Sequence, residues 1–212
     1  MTSERAEIIV HLVRHGRTAW NVDHRTMGWL DERIEPGWHA AAAAVGGVLE
    51  HEAVDRVISS PLARAIETAE PLAAALGMDI ERDESFGELR VGDWEGLRED
   101  EIAVRWPDEW ALWRSDPAAL RRLGRETLAE LNGRVAEALD GVAGGLYPGR
   151  AAVVFTHDAV VRAAVAWALS VGPEIYRHVQ VDNCSITTVA VSLNERRVVR
   201  TNDTCHLAGL VL

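Results

Sequence analysis

The sequence contains no lysine, because all 22 of its basic residues are arginine. This absence excludes two classes of protein that depend on a lysine side chain: nucleotide-binding proteins with a Walker-A loop, and enzymes that form a Schiff base. We attribute the absence to nucleotide bias in the genome, which also fits the abundance of alanine, and assign it no functional cause.

Cysteine and long apolar runs are scarce as well. The two cysteines, Cys184 and Cys205, are too few for a disulfide framework and favour a reducing compartment. No apolar run reaches the ~18 residues that a membrane-spanning helix needs. Residues 1–7 are polar and lack the basic-then-apolar order of a secretion signal. We therefore expect a cytoplasmic protein with no membrane partner.

The chain is acidic, with a formal net charge of -11. Nucleic acids and acidic membrane surfaces are bound by basic faces, so neither is an expected partner. A small anionic substrate remains compatible, because a few arginines can dominate the field inside one pocket. The length of 212 residues and the hydrophobic share of 48% suit one domain with a substantial core.

Apolar runs rich in β-branched residues alternate with helical patterns along most of the chain. Strands are predicted over residues 8–13, 56–59, 79–82, 151–155, 186–191 and 196–200. Helices are predicted over residues 39–50, 61–76, 99–114, 117–123, 126–142 and 159–169, with Ser60 and Pro61 opening the second of them. The alternation predicts an α/β fold: a three-layer sandwich with a mostly parallel central sheet and helices on both faces. Residues 93–125 interrupt the pattern, and we expect them to form a small helical cap on a single domain covering residues 1–212.

Two histidines each close a strand-like run, His15 after the first predicted strand and His157 after the fourth. In open α/β sheets, the carboxyl ends of the strands share one edge, and ligands bind there. Arg14 indicates that the ligand is an anion, and a phosphate fits best. Arg64 and Glu88 lie near other strand ends or in the loops beyond them, so these side chains are expected to converge.

Four segments resemble, in order and over residues 8–170, the motifs of one known family. They are LVRHGRT at residues 12–18 (followed by Asn21), SSPLARAIETA at 59–69, FGELRVGDWEG at 86–96 and THDAVVR at 156–162. On these motifs the chain resembles the phosphatase branch of the histidine phosphatase superfamily, also called phosphoglycerate mutase-like.

The resemblance implies a division of catalytic roles. His15 would be the nucleophile that forms a phosphohistidine, which requires a neutral ring nitrogen. Arg14 and Arg64 would hold the phosphoryl oxygens through charge-assisted hydrogen bonds, and His157 would stabilise the transferring group. Glu88 would protonate the leaving oxygen and then activate water, a role that suits a carboxyl whose pKa is raised by burial and by a bound phosphate.

Other residues in the motifs complete the expected substrate site. Gly16 lets a phosphate approach the backbone, Asn21 adds a neutral donor, and Thr18 lies between them. Asp93 and Glu95 are weaker candidates for the general acid. We expect no cofactor, and we expect no metal because the arginines argue against a bound cation.

Individual residues also have simpler interpretations. Arg64 could form a salt bridge with Glu67 or Glu70. Asp158, where the family commonly has glycine, is expected to cap the next helix and to point away from the anion. The tryptophans at positions 106, 110 and 113 favour a cap core over a substrate platform. The remaining histidines are expected to be structural or exposed: His11, His24, His39, His51, His178 and His206.

We therefore predict a phosphatase that hydrolyses a phosphomonoester of a small metabolite, such as a sugar phosphate, a phosphoglycerate or a cofactor precursor. A cofactor-dependent phosphoglycerate mutase is the alternative within enzymes, and a non-catalytic regulator that binds a phospho-ligand is the alternative outside them. A homodimer also remains open.

Overall fold

A computed structural model describes residues 7–211; residues 1–6, on which most of the secretion-signal argument rests, and residue 212 lie outside it. The strands are β1 (Ile8–Arg14), β2 (Val54–Ser59), β3 (Ile80–Arg82), β4 (Ala151–Thr156), β5 (Ile186–Val191) and β6 (Arg196–Asp203). They form one sheet in the order β3-β2-β4-β1-β5-β6. The first four neighbours in this order pair in parallel, whereas β5 and β6 pair antiparallel.

The helices are α1 (Ala19–Val22), α2 (His39–Leu49), α3 (Ala63–Leu76), α4 (Glu99–Arg105), α5 (Pro107–Ser115), α6 (Leu128–Gly144) and α7 (Asp158–Leu169). Helices α2 and α3 cover one face of the sheet, and α6 and α7 cover the other. Within residues 7–211, none of the helices combines the length and the apolarity that crossing a membrane requires.

Alternation along the strands explains why both faces are covered. In β1, Val13 packs into the layer of α2 and α3 with Val45, whereas its neighbour Leu12 packs into the layer of α6 and α7 with Leu131. All four side chains are fully buried, and each such burial contributes about 1.5–3 kcal/mol. The predicted three-layer α/β fold is confirmed.

Helix α3 begins two residues later than predicted. The sequence favours Ser60 as its cap, but the Ser60 hydroxyl lies 2.7 Å from a ring nitrogen of His157. The first turn is capped instead from a distant loop, because Asp31 accepts a hydrogen bond of 2.7 Å from the backbone N–H of Ala63. The local sequence therefore predicts the wrong role for Ser60, which contacts His157 in the site.

The segment between α5 and α6 also differs from the prediction. Only residues 117–119 of the expected helix 117–123 form a short 3-10 turn, capped by Asp116. Gly124, with φ of +75°, turns the chain, and Arg125 then enters the interior against Trp94 and Trp113. These aromatic contacts compete successfully with helix propensity.

Candidate active site

Parallel pairing of β1 and β4 brings the two predicted histidines together. The register sets Arg14 opposite Thr156, so His15 and His157 are the next residues on neighbouring strands. The backbone N–H of His15 donates to the carbonyl of Thr156 at 2.9 Å. The two imidazole rings lie 5.2 Å apart between centroids. Both rings are buried, with exposed fractions of 1% and 0%.

His15 is held in the state that a nucleophile needs. Its Nδ1 lies 2.7 Å from the carbonyl oxygen of Gly16. A carbonyl can only accept, so Nδ1 carries the proton and Nε2 keeps its lone pair. Burial, followed by the charges of Arg64 and Arg14, holds the pKa of His15 well below its ordinary value. The ring is therefore neutral at physiological pH.

Two guanidinium groups accompany this ring. Arg64 is fully buried and donates to the backbone carbonyls of Leu30 at 2.9 Å and Gly28 at 2.8 Å. Arg14 donates to the carbonyl of Val181 at 2.6 Å. The Nε of each is buried without a hydrogen-bond partner among residues 7–211. Burial lowers the pKa of Arg64 to about 10, so the group still carries its charge at neutral pH.

His157 is oriented by a residue that sequence reasoning assigned to a helix cap. Its Nε2 lies 2.7 Å from the hydroxyl of Ser60, which also accepts a 3.3 Å hydrogen bond from the N–H of Leu62. A hydroxyl that already accepts can donate to Nε2, and the ring proton then resides on Nδ1. That Nδ1 is buried and has no partner in the described part of the chain. The arrangement leaves one donor available to an anion.

Burial raises the pKa of the Glu88 carboxyl, and Asp158 raises it further, whereas the N–H of Leu89, Arg64 and Arg14 act in the opposite direction. Its Oε1 accepts a 2.7 Å hydrogen bond from that N–H. The net direction favours the protonated form, which a general acid requires.

The loop that carries Glu88 is fixed by two side chains that sequence analysis did not single out. Trp29 donates from Nε1 to the Glu88 carbonyl at 2.6 Å. Arg134 of α6 donates to the carbonyls of Ser85 at 2.8 Å and Glu88 at 3.2 Å. Gly87 is required there, because a Cβ would lie 2.3 Å from the indole of Trp29. These contacts span 46–59 positions in sequence, so no local signal reveals them.

A cavity of about 650 Å³ opens beside Arg14 and Glu88. Arg14, Asn21 and Glu88 are among the residues that line it, whereas His15, His157 and Arg64 are buried and are not part of its lining. The volume falls within the usual range of about 300–1,000 Å³ for small-molecule sites. Three of the predicted site residues, Arg14, Asn21 and Glu88, therefore face a ligand-sized space.

Asp158 departs from both expectations. His157 occupies the cap position of α7, and Asp158 is the first helical residue. Its carboxylate pairs with Arg162 at 2.9 Å, and it lines the cavity instead of pointing away from it. Arg162 neutralises part of its charge, which allows a carboxylate to lie beside an anion site.

Thr18 and Asn21 cap α1 as a reciprocal pair. The Thr18 hydroxyl accepts from the N–H of Asn21 at 3.3 Å, and Asn21 Oδ1 accepts from the N–H of Thr18 at 3.0 Å. Thr18 is fully buried, so it supports the loop, whereas Asn21 reaches the cavity. The N–H of Gly16 donates to Thr68 at 2.9 Å, and a Cβ at Gly16 would lie 3.1 Å from the Ile34 side chain.

Several simpler interpretations can now be compared with the structure. Glu67 pairs with Arg33 at 2.6 Å, not with Arg64, whose terminal nitrogens contact backbone carbonyls. Trp110 and Trp113 pack edge-on against Trp94 while also lining the cavity. All three cap tryptophans pack against the core, which is the role that the sequence favours for them, and Trp110 and Trp113 line the cavity in addition.

The fold and the site define a class of protein: an α/β enzyme that processes a phosphoryl group at the carboxyl edge of a parallel sheet. The comparisons with known proteins agree. The family model of the "Histidine phosphatase superfamily (branch 1)" matches residues 10–204. The chain belongs to the histidine phosphatase superfamily.

Individual relatives extend over nearly the whole chain. "Phosphoserine phosphatase 1" of Hydrogenobacter thermophilus is 28% identical over 196 residues, which cover 92% of each protein. The structure of Bacillus stearothermophilus YhfR has a TM-score of 0.89 at 26% identity, covering 94% of this chain and 99% of that one. A mycobacterial glucosyl-3-phosphoglycerate phosphatase, solved with VO3, has a TM-score of 0.85 at 25% identity and covers 92% and 99%. The chain is a phosphoric monoester hydrolase, as predicted.

Proposed function

We propose that this chain hydrolyses a phosphomonoester of a small metabolite through a phosphohistidine on His15. The observation that carries the proposal is the state of that ring. The Nδ1–H of His15 donates to the Gly16 carbonyl, and the pKa of the ring is depressed. Two guanidinium groups and His157 surround the ring. Such a neutral imidazole in a cationic pocket is matched to phosphorus bearing anionic oxygens.

In the first step, the Nε2 lone pair of His15 attacks phosphorus and the bond to the leaving oxygen breaks. Glu88 gives its proton to that oxygen, so the alcohol departs neutral. Three side chains, Arg14, Arg64 and His157, hold the phosphoryl oxygens through buried nitrogens that have no partner among the described residues. The main contribution of these donors to the rate is that they stabilise the negative charge on the phosphoryl oxygens in the transition state.

In the second step, the Glu88 carboxylate takes a proton from water, whose oxygen attacks the phosphohistidine. The bond between Nε2 and phosphorus breaks, inorganic phosphate is formed, and Glu88 is again protonated. General acid–base help of this kind is worth about 10²–10⁴ in rate.

The charges of the cavity wall are balanced, because four carboxyl side chains and four arginines line it: Glu88, Glu99, Asp158 and Asp182, and Arg14, Arg25, Arg125 and Arg162. The support for hydrolysis over mutase chemistry therefore comes from the relatives that are named as phosphatases. A binder without activity would not require the acid, the oriented nucleophile and the donors together.

The test measures inorganic phosphate release from phosphoserine, 3-phosphoglycerate, glucosyl-3-phosphoglycerate, sugar phosphates and p-nitrophenyl phosphate. We expect release from at least one metabolite and from the nitrophenyl ester, loss of both in His15→Ala, and full activity in His39→Ala, an exposed histidine on α2. Isomerisation of 3-phosphoglycerate without net release would establish the mutase instead. Release that survives in His15→Ala would refute the proposal.

A further inference from the structure

Arg125 is a buried cation that the mechanism does not use. It lies between α5 and α6 and is 8% exposed. The centre of its guanidinium is 4.5 Å from the Trp94 ring centroid and 4.4 Å from that of Trp113. Both terminal nitrogens, Nη1 and Nη2, are buried and have no hydrogen-bond partner within residues 7–211.

The other arginines that line the same cavity are already engaged. Arg162 pairs with Asp158, Arg25 contacts two carboxylates and a carbonyl, and Arg14 donates to a carbonyl and faces the histidines. Arg125 forms no salt bridge with any carboxylate in the described part of the chain. It is therefore the cavity's available cation on the side of the cap.

A buried, unpaired charge is costly, and the two indoles compensate for only part of this cost. Burial lowers the pKa of Arg125 to about 10, so the group is nevertheless charged at neutral pH. If space filling between Trp94 and Trp113 were its only role, an apolar side chain would stabilise the cap better. The two free nitrogens point to a ligand that supplies the missing acceptors.

We infer that Arg125 is a specificity-determining residue that binds a carboxylate on the alcohol part of the substrate. The inference rests on the proposed phosphatase function and names its substrate class: phosphomonoesters of hydroxy acids. Nη1 and Nη2 form an end-on fork that matches the two oxygens of one carboxylate. The phosphoryl group would lie at His15, and the carboxylate would lie under the cap.

A single negative charge fits this end of the cavity better than a second phosphate. The fork lies beside the indoles of Trp94 and Trp113, whose planes meet at 84°. The N–H is the hydrogen-bond donor that each indole offers. One cation matches one carboxylate, whereas a dianion would need additional donors.

The test compares D-3-phosphoglycerate with sn-glycerol 3-phosphate, which differ in a carboxylate against a hydroxymethyl group. We expect the wild type to prefer the acid in kcat/KM. Arg125→Met should lower kcat/KM for the acid by about 30-fold to 5,000-fold, the usual range when one partner of a buried charged pair is lost, and leave the glycerol ester within about threefold. Arg125→Lys, which keeps the charge without the fork, should lose less.

Arg122→Met is the matched control. Arg122 is the neighbouring arginine that stacks 4.5 Å from Trp106 and pairs with Asp93 and Glu109, away from the cavity lining. It should leave the ratio of the two substrates unchanged. Equal losses on both substrates in Arg125→Met, or a wild type without preference for the acid, would overturn the inference.

A binding measurement separates this inference from the proposed function. Calorimetry with the His15→Ala variant should show 3-phosphoglycerate binding more tightly than glycerol 3-phosphate, and Arg125→Met in that background should abolish the difference. Equal affinities before the second substitution would refute the role of Arg125 alone. Failure of His15→Ala to stop hydrolysis of p-nitrophenyl phosphate would refute the phosphohistidine mechanism alone.

Discussion

Replacing Glu88 with glutamine separates proton transfer from binding. Glutamine has nearly the same size, and its side-chain oxygen can still accept the hydrogen bond that Oε1 receives from the N–H of Leu89 at 2.7 Å. The loop is held through the Glu88 backbone carbonyl by Trp29 and Arg134, which the substitution does not touch. The variant should therefore lose its acid while its geometry stays in place.

The size of the loss follows from the step that needs the proton. For an alkyl phosphate, departure of an unprotonated alkoxide should cost about 10²–10⁴ in kcat/KM, or about 2.7–5.4 kcal/mol. KM should stay about level, because the neutral amide replaces a carboxyl that is also neutral when it acts as the acid. p-Nitrophenyl phosphate needs no acid for departure, so its kcat/KM should change by less than about fivefold.

The assay is steady-state and rapid-quench kinetics on both esters. With the nitrophenyl ester, Glu88→Gln should show a burst of nitrophenol followed by slow turnover, because water activation is now impaired. Glu137→Gln, an exposed carboxylate on α6 that does not line the cavity, serves as the control and should behave as wild type. An equal fall in kcat/KM for both esters would refute the assignment of Glu88 as the acid.

Two further predictions follow from the electrostatics of the site. Asp158 raises the pKa of Glu88, and activity is lost as pH rises through the pKa of a general acid. Asp158→Asn should therefore move the alkaline limb of the kcat/KM profile to lower pH. An unchanged limb would contradict this. The pKa values of His15 and His157 are depressed in the folded state. Their contribution to stability is therefore complete above the ordinary histidine pKa of about 6.5 and is lost as pH falls towards the lower folded values. The loss is about 1.4 kcal/mol per pH unit for each ring. The free energy of unfolding in urea should therefore drop between pH 6.5 and 5.5, and drop less in His157→Gln; equal slopes for the two proteins would count against buried neutral rings.

The positions of the site residues at strand ends could be predicted from the sequence. His15 and His157 each follow an apolar strand, and the parallel pairing of these strands brings both residues to one edge of the sheet. Because alternation of strands and helices dictates this pairing, the fold class and the clustering of the two histidines could be anticipated together.

Partners fixed by tertiary structure could not be anticipated. The local sequence predicts that Ser60 caps helix α3, but the Ser60 hydroxyl contacts His157, and Asp31 caps the helix from a loop. The local sequence also predicts that Asp158 is a helix cap, but Asp158 pairs with Arg162. Short polar side chains satisfy several local patterns equally well, and only the packed structure decides which partner they take.

In the cap, the structure departs from the helix that the sequence predicts over residues 117–123. Only residues 117–119 form a short turn, Gly124 turns the chain, and Arg125, just beyond the predicted helix, stacks on Trp94 and Trp113. Nothing in the spacing of these residues indicates that they meet. The candidate specificity residue therefore emerged only from the three-dimensional arrangement.

The most direct test of the central claim is to trap the covalent intermediate. The enzyme is mixed with a phosphomonoester labelled in its phosphoryl group, quenched in base (which preserves phosphohistidine), digested and mapped by mass spectrometry. We predict label on His15 at a level that rises in Glu88→Gln with p-nitrophenyl phosphate, and no label in His15→Ala. Turnover that proceeds with label on another residue, or with no covalent label under conditions of burst kinetics, would contradict the account.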